Sequence, residues 1–196
     1  MKRREEKRIV LSITLSFMSA TPDGQTLSQS YGDADGNAVT VESLRERMQY
    51  CLGGGDGSGP KDYDLLRILL GRVPHTVATL GDDVYGSSVL AWCVNDPNVP
   101  QDIIDTLLAC APSSVHNKDA HGSLALHYAA ANQAKPGVIG ALLRIYPEAS
   151  ATSEDARALL PLHLAAANQS PPASIRLIID ANPQACCIGA LSQHGW

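Results

Sequence analysis

An all-α, helix-turn-helix repeat solenoid is the fold class that this chain predicts, and three observations lead to it. A ten-residue segment occurs twice, as Leu124-Ala-Leu-His-Tyr-Ala-Ala-Ala-Asn-Gln133 and Leu160-Pro-Leu-His-Leu-Ala-Ala-Ala-Asn-Gln169, with starts 36 positions apart. The offset persists beyond the copies: Asp119 maps to Asp155, Pro136 to Pro172, Ile139 to Ile175, Leu142 to Ile178 and Pro147 to Pro183. One step back, Asp83 falls under Asp119, Gly86 under Gly122, Leu90 under Leu126, Trp92 under Tyr128 and Pro100 under Pro136. Self-similarity at such a period is the mark of a repeat array. Composition agrees, because aromatics make up only 5% of the chain and alanine and leucine dominate its 44% apolar content. That balance suits short, closely packed helices better than strands. Finally, each periodic segment is too short to be stable alone, so its apolar face must be covered by a neighbouring copy.

Charge and cysteines narrow the function. The net charge is -5, so the chain offers no basic stripe of the kind that phosphate binding requires, and nucleic acid is not an expected partner. Five cysteines, Cys51, Cys93, Cys110, Cys186 and Cys187, form neither an even disulfide framework nor paired zinc-ligand spacing. They point to a reducing compartment, with Cys93 and Cys110 at apolar repeat positions.

The N-terminal part divides by composition. Residues 1–38 read as a tail, in which five basic and two acidic residues up to Arg8 precede the apolar run Ile9 to Ala20. This resembles a secretory signal segment, and twelve residues are too few to span a bilayer. Glu5 and Glu6 are unusual in such a leading region, and the alternatives are a β-prone tail, since Ile9, Val10, Ile13 and Thr14 are branched, or an arbitrary start. Thr21 to Asn37 lacks apolar period and reads as linker or disorder. Its Asp33-Ala-Asp-Gly36 is followed by no glutamate at the twelfth position of a calcium loop. Val41, Leu44, Met48, Cys51 and Leu52 recur at helical spacing, so 39–52 is expected to be a capping helix over the open end of the array. The Gly-rich stretch 53–63 reads as a connector, since Lys61 follows Pro60 and no Ser or Thr follows the lysine, as a phosphate loop would need.

The repeats occupy 64–196. Asp64 to Gly71 predicts a second-type helix, whose Leu65-Leu66-x-x-Leu69-Leu70-x-x-x-Pro74 matches Ile103-Ile104 through Pro112 and Val138-Ile139 through Pro147. Each unit is expected to run from an Asp-x-x-Gly turn through a short Ala-rich helix, a turn holding Pro100, Pro136 or Pro172, a longer helix and a Pro-containing return. Pro161 suits a first helical position, where its missing amide would be unpaired anyway. Leu90, Leu126 and Leu162 are the expected core contacts.

These units resemble the ankyrin repeat. Asp119-x-x-Gly122 with Leu124-Ala-Leu-His-Tyr-Ala-Ala, and Asp155 with Leu160-Pro-Leu-His-Leu-Ala-Ala, are similar to that family's turn and first helix, and the later Ile/Val-x-x-Leu-Leu to its second. The unit here is about 36 residues against a usual length of about 33, and Asn-Gln with a proline stands where the family usually has glycine between helices. The resemblance implies that His127 and His163 are structural, each bonding across a turn. It also implies that a protein partner touches the turn tips and the exposed ends of the first helices. Carried over by position, those contacts are Val84, Tyr85, Ser87, Asn95 and Asp96 in the first unit, and Ala120, His121, Ser123, Ala131 and Asn132 in the second. In the third they are Ala156, Arg157, Leu159, Ala167 and Asn168. Tyr85, His121 and Arg157 are the natural anchors, because aromatic and arginine side chains dominate interface energies.

No catalytic constellation competes with this reading: there is no G-x-S-x-G, no H-E-x-x-H and no arranged base beside Cys93. No catalytic residue, metal or cofactor is expected. The function expected is non-catalytic protein-protein interaction, without stable membrane insertion and in the cytoplasm. Two rivals stand beside it: a regulatory or targeting arm of a larger, truncated enzyme, and a secreted or organellar repeat protein entering by residues 1–20. Gln193-His-Gly-Trp196 reads as the opening turn of a further unit, so the array is expected to continue or to be covered there by a partner.

Overall fold

The computed structural model describes residues 31–32, 38–39, 62–72, 77–78, 87–154 and 157–188. The possible signal segment 1–20, the capping helix over Thr40 to Leu52, the glycines up to Pro60, the contacts Val84, Tyr85 and Ala156, and the C-terminal turn at Gln193 lie outside the described residues. The chain divides into two compact units, 1–68 and 69–196.

In the first unit, two short strands fall in and beside the stretch read as a tail. Tyr31–Gly32 (β1) pairs antiparallel with Ala38–Val39 (β2), Tyr31 opposite Val39 and Gly32 opposite Ala38. The five residues between them hold two aspartates, a glycine and an asparagine, residue types that favour reversals of the chain. Val39, expected in a helix, is therefore in a strand. Helix α1 spans Tyr63–Arg72 and begins in this unit. Asp62 starts it: its carboxylate accepts from Leu65 N at 3.0 Å and its carbonyl from Leu66 N at 3.1 Å.

In the second unit every described element is a helix or a 3-10 turn. After α1, α2 (Val89–Val94) and α3 (Gln101–Cys110) are followed by a 3-10 turn over Pro112–His116. Next come α4 (Ala125–Ala131), α5 (Pro136–Ile145) and a 3-10 turn over Pro147–Ala151. Then α6 (Pro161–Ala167), α7 (Pro172–Ala181) and a 3-10 turn over Pro183–Cys187 complete the order. Each 3-10 turn opens on proline, whose lost amide does no harm at a first position. The short helices α2, α4 and α6 touch in succession, the longer α3, α5 and α7 likewise, and each short helix touches the longer one that follows it.

The core lies between these two layers. Leu90 and Leu126 are 1% and 2% exposed, while Ala129 and Ala165 are fully buried. Small alanines let the short helices approach, and the longer helices fill the space between layers with Ile104, Leu107, Ile139, Leu142 and Ile178, all buried. The 36-residue offset does not hold between α3 and α5. The short helices α2 and α4 begin 36 residues apart, but α3 begins at Gln101 and α5 at Pro136, 35 apart. Pro100 is thus the residue before α3, whereas Pro136 is the first residue of α5, and Ile103 and Ile104 align with Val138 and Ile139. The loop after α2 holds the extra residue, and the apolar face of the helix sets the register, not the proline.

The helix ends explain why glycine is dispensable in these turns. Gln133 and Gln169 take φ of 58° and 56°, and Ala134 N and Ser170 N then reach back to Ala129 O and Ala165 O, each at 2.9 Å. These are left-handed helix stops that close the free carbonyls. In the second, Ser170 also donates its hydroxyl to Ala130 O at 2.7 Å, and Ser174 donates to Ala134 O at 2.9 Å. Both bonds tie one helix pair to the next inside the core, where an unpaired carbonyl would be costly.

Candidate functional site

The site begins with two turns that precede α4 and α6. In the first, Asp119 Oδ1 accepts from the amides of His121 and Ser123, each at 2.8 Å, and Asp119 N donates to Ser123 O at 3.1 Å. Gly122 allows the reversal with φ of 74°. In the second turn the equivalent backbone bond runs from Glu154 N to Leu159 O at 3.0 Å, with Ala158 at φ 52° in the place of Gly122. The residue that closes this turn is therefore Glu154, one position before the Asp155 that the 36-residue offset selects. The slip carries a longer acidic side chain inward.

Glu154 is 7% exposed. Its Oε2 accepts a long bond from Ser123 Oγ at 3.4 Å, and its Oε1 is buried without a hydrogen-bond partner. Arg157 approaches Oε1 with Nε at 3.7 Å, an ion-pair distance beyond hydrogen-bonding range, and the arginine side chain is 72% exposed. The carboxylate therefore keeps an unused acceptor in a place where desolvation makes one expensive.

Two residues of α4 complete the surroundings. His127 Nδ1 accepts from Leu124 N at 3.0 Å, reaching back to the residue before the helix, and Nε2 lies 3.0 Å from Thr152 O. The two bonds require a neutral ring with its proton on Nε2, and burial lowers the ring's pKa below 6.5 ahead of opposing contributions from the Thr152 bond and the Glu154 charge. His163 repeats the arrangement one unit later, with Leu160 N at 3.1 Å and Ile188 O at 2.7 Å. Both histidines join the start of a short helix to the return 25 residues on. The Tyr128 hydroxyl donates to Asp119 Oδ2. Burial first, and then this bond and the aspartate's charge, push the phenol up to about 12.

Between the two turns and the helices α4 and α6 lies a cleft of about 270 Å³. Tyr128, Ala131 and Leu164 give it apolar walls, His121 and Arg157 stand at its edges, and Ser123, His127 and Glu154 supply its polar atoms. An apolar slot with one incompletely paired carboxylate is suited to holding a cationic or donor group on an aliphatic stem.

Several residues expected to contact a partner meet here. His121, Ser123, Ala131 and Arg157 all line the cleft. Two expectations change: Ser123 and Ser87 are buried, 7% and 9% exposed, and the Ser123 hydroxyl is already bonded to Glu154. Asn95, Asn132 and Asn168 follow the last residues of α2, α4 and α6 and do not line the cleft. Asn132 Nδ2 donates to Asn95 Oδ1 at 2.7 Å, and Gln133 Nε2 donates to Asn168 O at 2.9 Å, so these residues link neighbouring helix ends. Ala120 and Ala167 are exposed and Asp96 and Leu159 half-buried, and none of the four lines the cleft. Glu154, Tyr128 and Leu164 escape sequence reasoning. The signal for Tyr128 was its place beside the Leu-His step; for Glu154 none existed, because a one-residue slip in a loop leaves no trace in the spacing.

Cys93 is buried, Cys110 half-buried, and Cys186 and Cys187 exposed. Among the described residues no three His, Cys, Asp or Glu side chains are grouped to hold a metal ion, and no helix is long and apolar enough to cross a membrane. No protein-family model matches the chain, and a search of curated proteins returns no match to it.

Proposed function

We propose that residues 64–196 are an ankyrin-like repeat solenoid whose role is non-catalytic recognition of a protein partner, through its turn tips and the exposed ends of its short helices. The repeat reading is supported by bonds that recur in consecutive units. These are the Leu-amide-to-histidine bond, the histidine bond to the return, and the left-handed glutamine that stops the short helix. The recognition reading is carried by one observation: His121 and Ala131 of one unit and Arg157 of the next border a single cleft. In this reading no residue has a catalytic, cofactor-binding or metal-binding role, and the cytoplasm, where exposed Cys186 and Cys187 would stay reduced, is the site of action.

The test is a crosslinking pull-down that compares wild type with a Tyr85→Ala, His121→Ala double variant. His121 is exposed, and the fold of the variant is checked by its circular dichroism. Partners recovered by wild type are expected to be depleted from the variant. Equal recovery of the same partners from both proteins would refute the proposed face.

A further inference from the structure

We infer that the cleft between the two turns receives an arginine side chain of the protein partner, with Glu154 Oε1 as its counter-charge and this chain's own Arg157 as the group displaced from the mouth. The inference rests on the recognition reading above and specifies its chemistry.

The first ground is the carboxylate itself. The Glu154 side chain is 9% exposed, yet Oε1 has no hydrogen-bond partner and Oε2 only the long Ser123 contact. A buried carboxylate normally collects two or three donors, and charge-assisted bonds of this kind are short, about 2.7–2.9 Å. The 3.7 Å approach of Arg157 Nε falls well outside that range. Most of that guanidinium stays in water, so Arg157 screens Oε1 without satisfying it.

The second ground is the shape and lining of the slot. Tyr128, Ala131 and Leu164 present apolar surface to an aliphatic stem, and Glu154, whose Oε1 is buried without a hydrogen-bond partner, lines the same cleft. The half-buried Tyr128 and exposed His121, both lining the cleft, are residue types that pair with a flat guanidinium. Arginine is favoured over lysine because its guanidinium is more weakly hydrated and loses less on entering such a slot. A cleft of about 270 Å³ has room for one such side chain. The chain's net charge of -5 favours approach of a basic segment as well.

The experiment follows backbone amide shifts of Ser123, Ala131 and Leu164 in the full chain by NMR during titration with acetyl-Gly-Arg-Gly-amide. The comparison peptides carry lysine, or citrulline, which keeps the shape of arginine and lacks its charge. The arginine peptide is expected to saturate in the millimolar range, with the citrulline peptide weaker by about tenfold or more. Lysine should fall between them. Glu154→Gln is expected to weaken the arginine peptide by about tenfold, and Arg157→Ala to tighten it by about threefold. Equal binding of arginine and citrulline peptides, no shift up to about 20 mM, or an unchanged affinity in Glu154→Gln would overturn the inference. Should Glu154→Gln fail to fold, the arginine-citrulline comparison on wild type together with Arg157→Ala decides the matter. A null result here beside depletion in the pull-down removes the arginine slot and leaves partner recognition standing. Peptide binding beside equal pull-down recovery shows the converse.

Discussion

His127 shows how much a single side chain carries in this architecture. Its two ring nitrogens serve opposite roles, one accepting from Leu124 N and one donating to Thr152 O, and only the neutral ring can do both. Protonation would place a second N–H against the Leu124 amide in a buried site. Because burial lowers the folded-state pKa below the ordinary 6.5, the unfolded chain binds the proton more readily. The stability from this residue is therefore complete above pH 6.5 and is lost as pH falls from there toward the depressed folded value. Urea unfolding at a series of pH values from neutral downward should show that decline, with a limiting slope of about 1.4 kcal/mol per pH unit for one such group. A His127→Asn variant should be less stable at neutral pH and lose less as the pH drops. An identical slope in both proteins would show that the ring does not titrate with folding.

At the scale of the element, the short helices are stopped and joined by residues in unusual conformations. Ala158 takes φ of 52° with no glycine's freedom and no side-chain bond to compensate. Ala158→Gly should therefore raise stability by about 0.5–1 kcal/mol, seen as a higher urea midpoint with an unchanged slope. Destabilisation by this change would mean that the turn gains more from a stiff unfolded chain than it loses in strain. The opposite sign belongs to Ser174 in α7, whose hydroxyl satisfies the buried carbonyl of Ala134. Ser174→Ala leaves that carbonyl unpaired and should cost about 1–3 kcal/mol, measured by the same unfolding curve. Both effects are local to a turn or a helix start. Gln133 and Gln169 were visible in the sequence as the occupants of the place between helices; that they adopt left-handed backbone follows from the need to close the carbonyls of α4 and α6.

For the whole stack, the cost of a cavity depends on how many neighbours a helix has. Leu126 lies on α4, which touches both α2 and α6, and is 2% exposed; Leu162 lies on α6 and is 8% exposed. In α7 the positions of buried Ile139 and Leu143 are taken by half-buried Ile175 and Ile179. Leu126→Ala should thus fall near the upper end of the range of about 2–5 kcal/mol for such cavities, and Leu162→Ala near the lower end. Chemical denaturation of the two variants orders them directly. If Leu162→Ala is the more costly change, cohesion does not follow the number of covering helices.

The sequence by itself determined the helical class, the recurrence of a short and a longer helix, and the core leucines. Those properties are periodic: Leu90, Leu126 and Leu162 repeat because each copy must bury the same face, and Pro161 or Pro172 marks a helix start by its covalent structure alone. The tertiary structure decided which residue of a loop turns inward and which distant residues share a space. A hydrophobic period constrains helices and leaves loop length free. The one-residue difference ahead of α3 and the replacement of Asp155 by Glu154 at the turn were therefore invisible until the helices were packed. The cleft has the same origin. His121, Ala131, Glu154, Arg157 and Leu164 meet only because α4 and α6 lie side by side, and that proximity is set by burial between whole elements rather than by any local pattern.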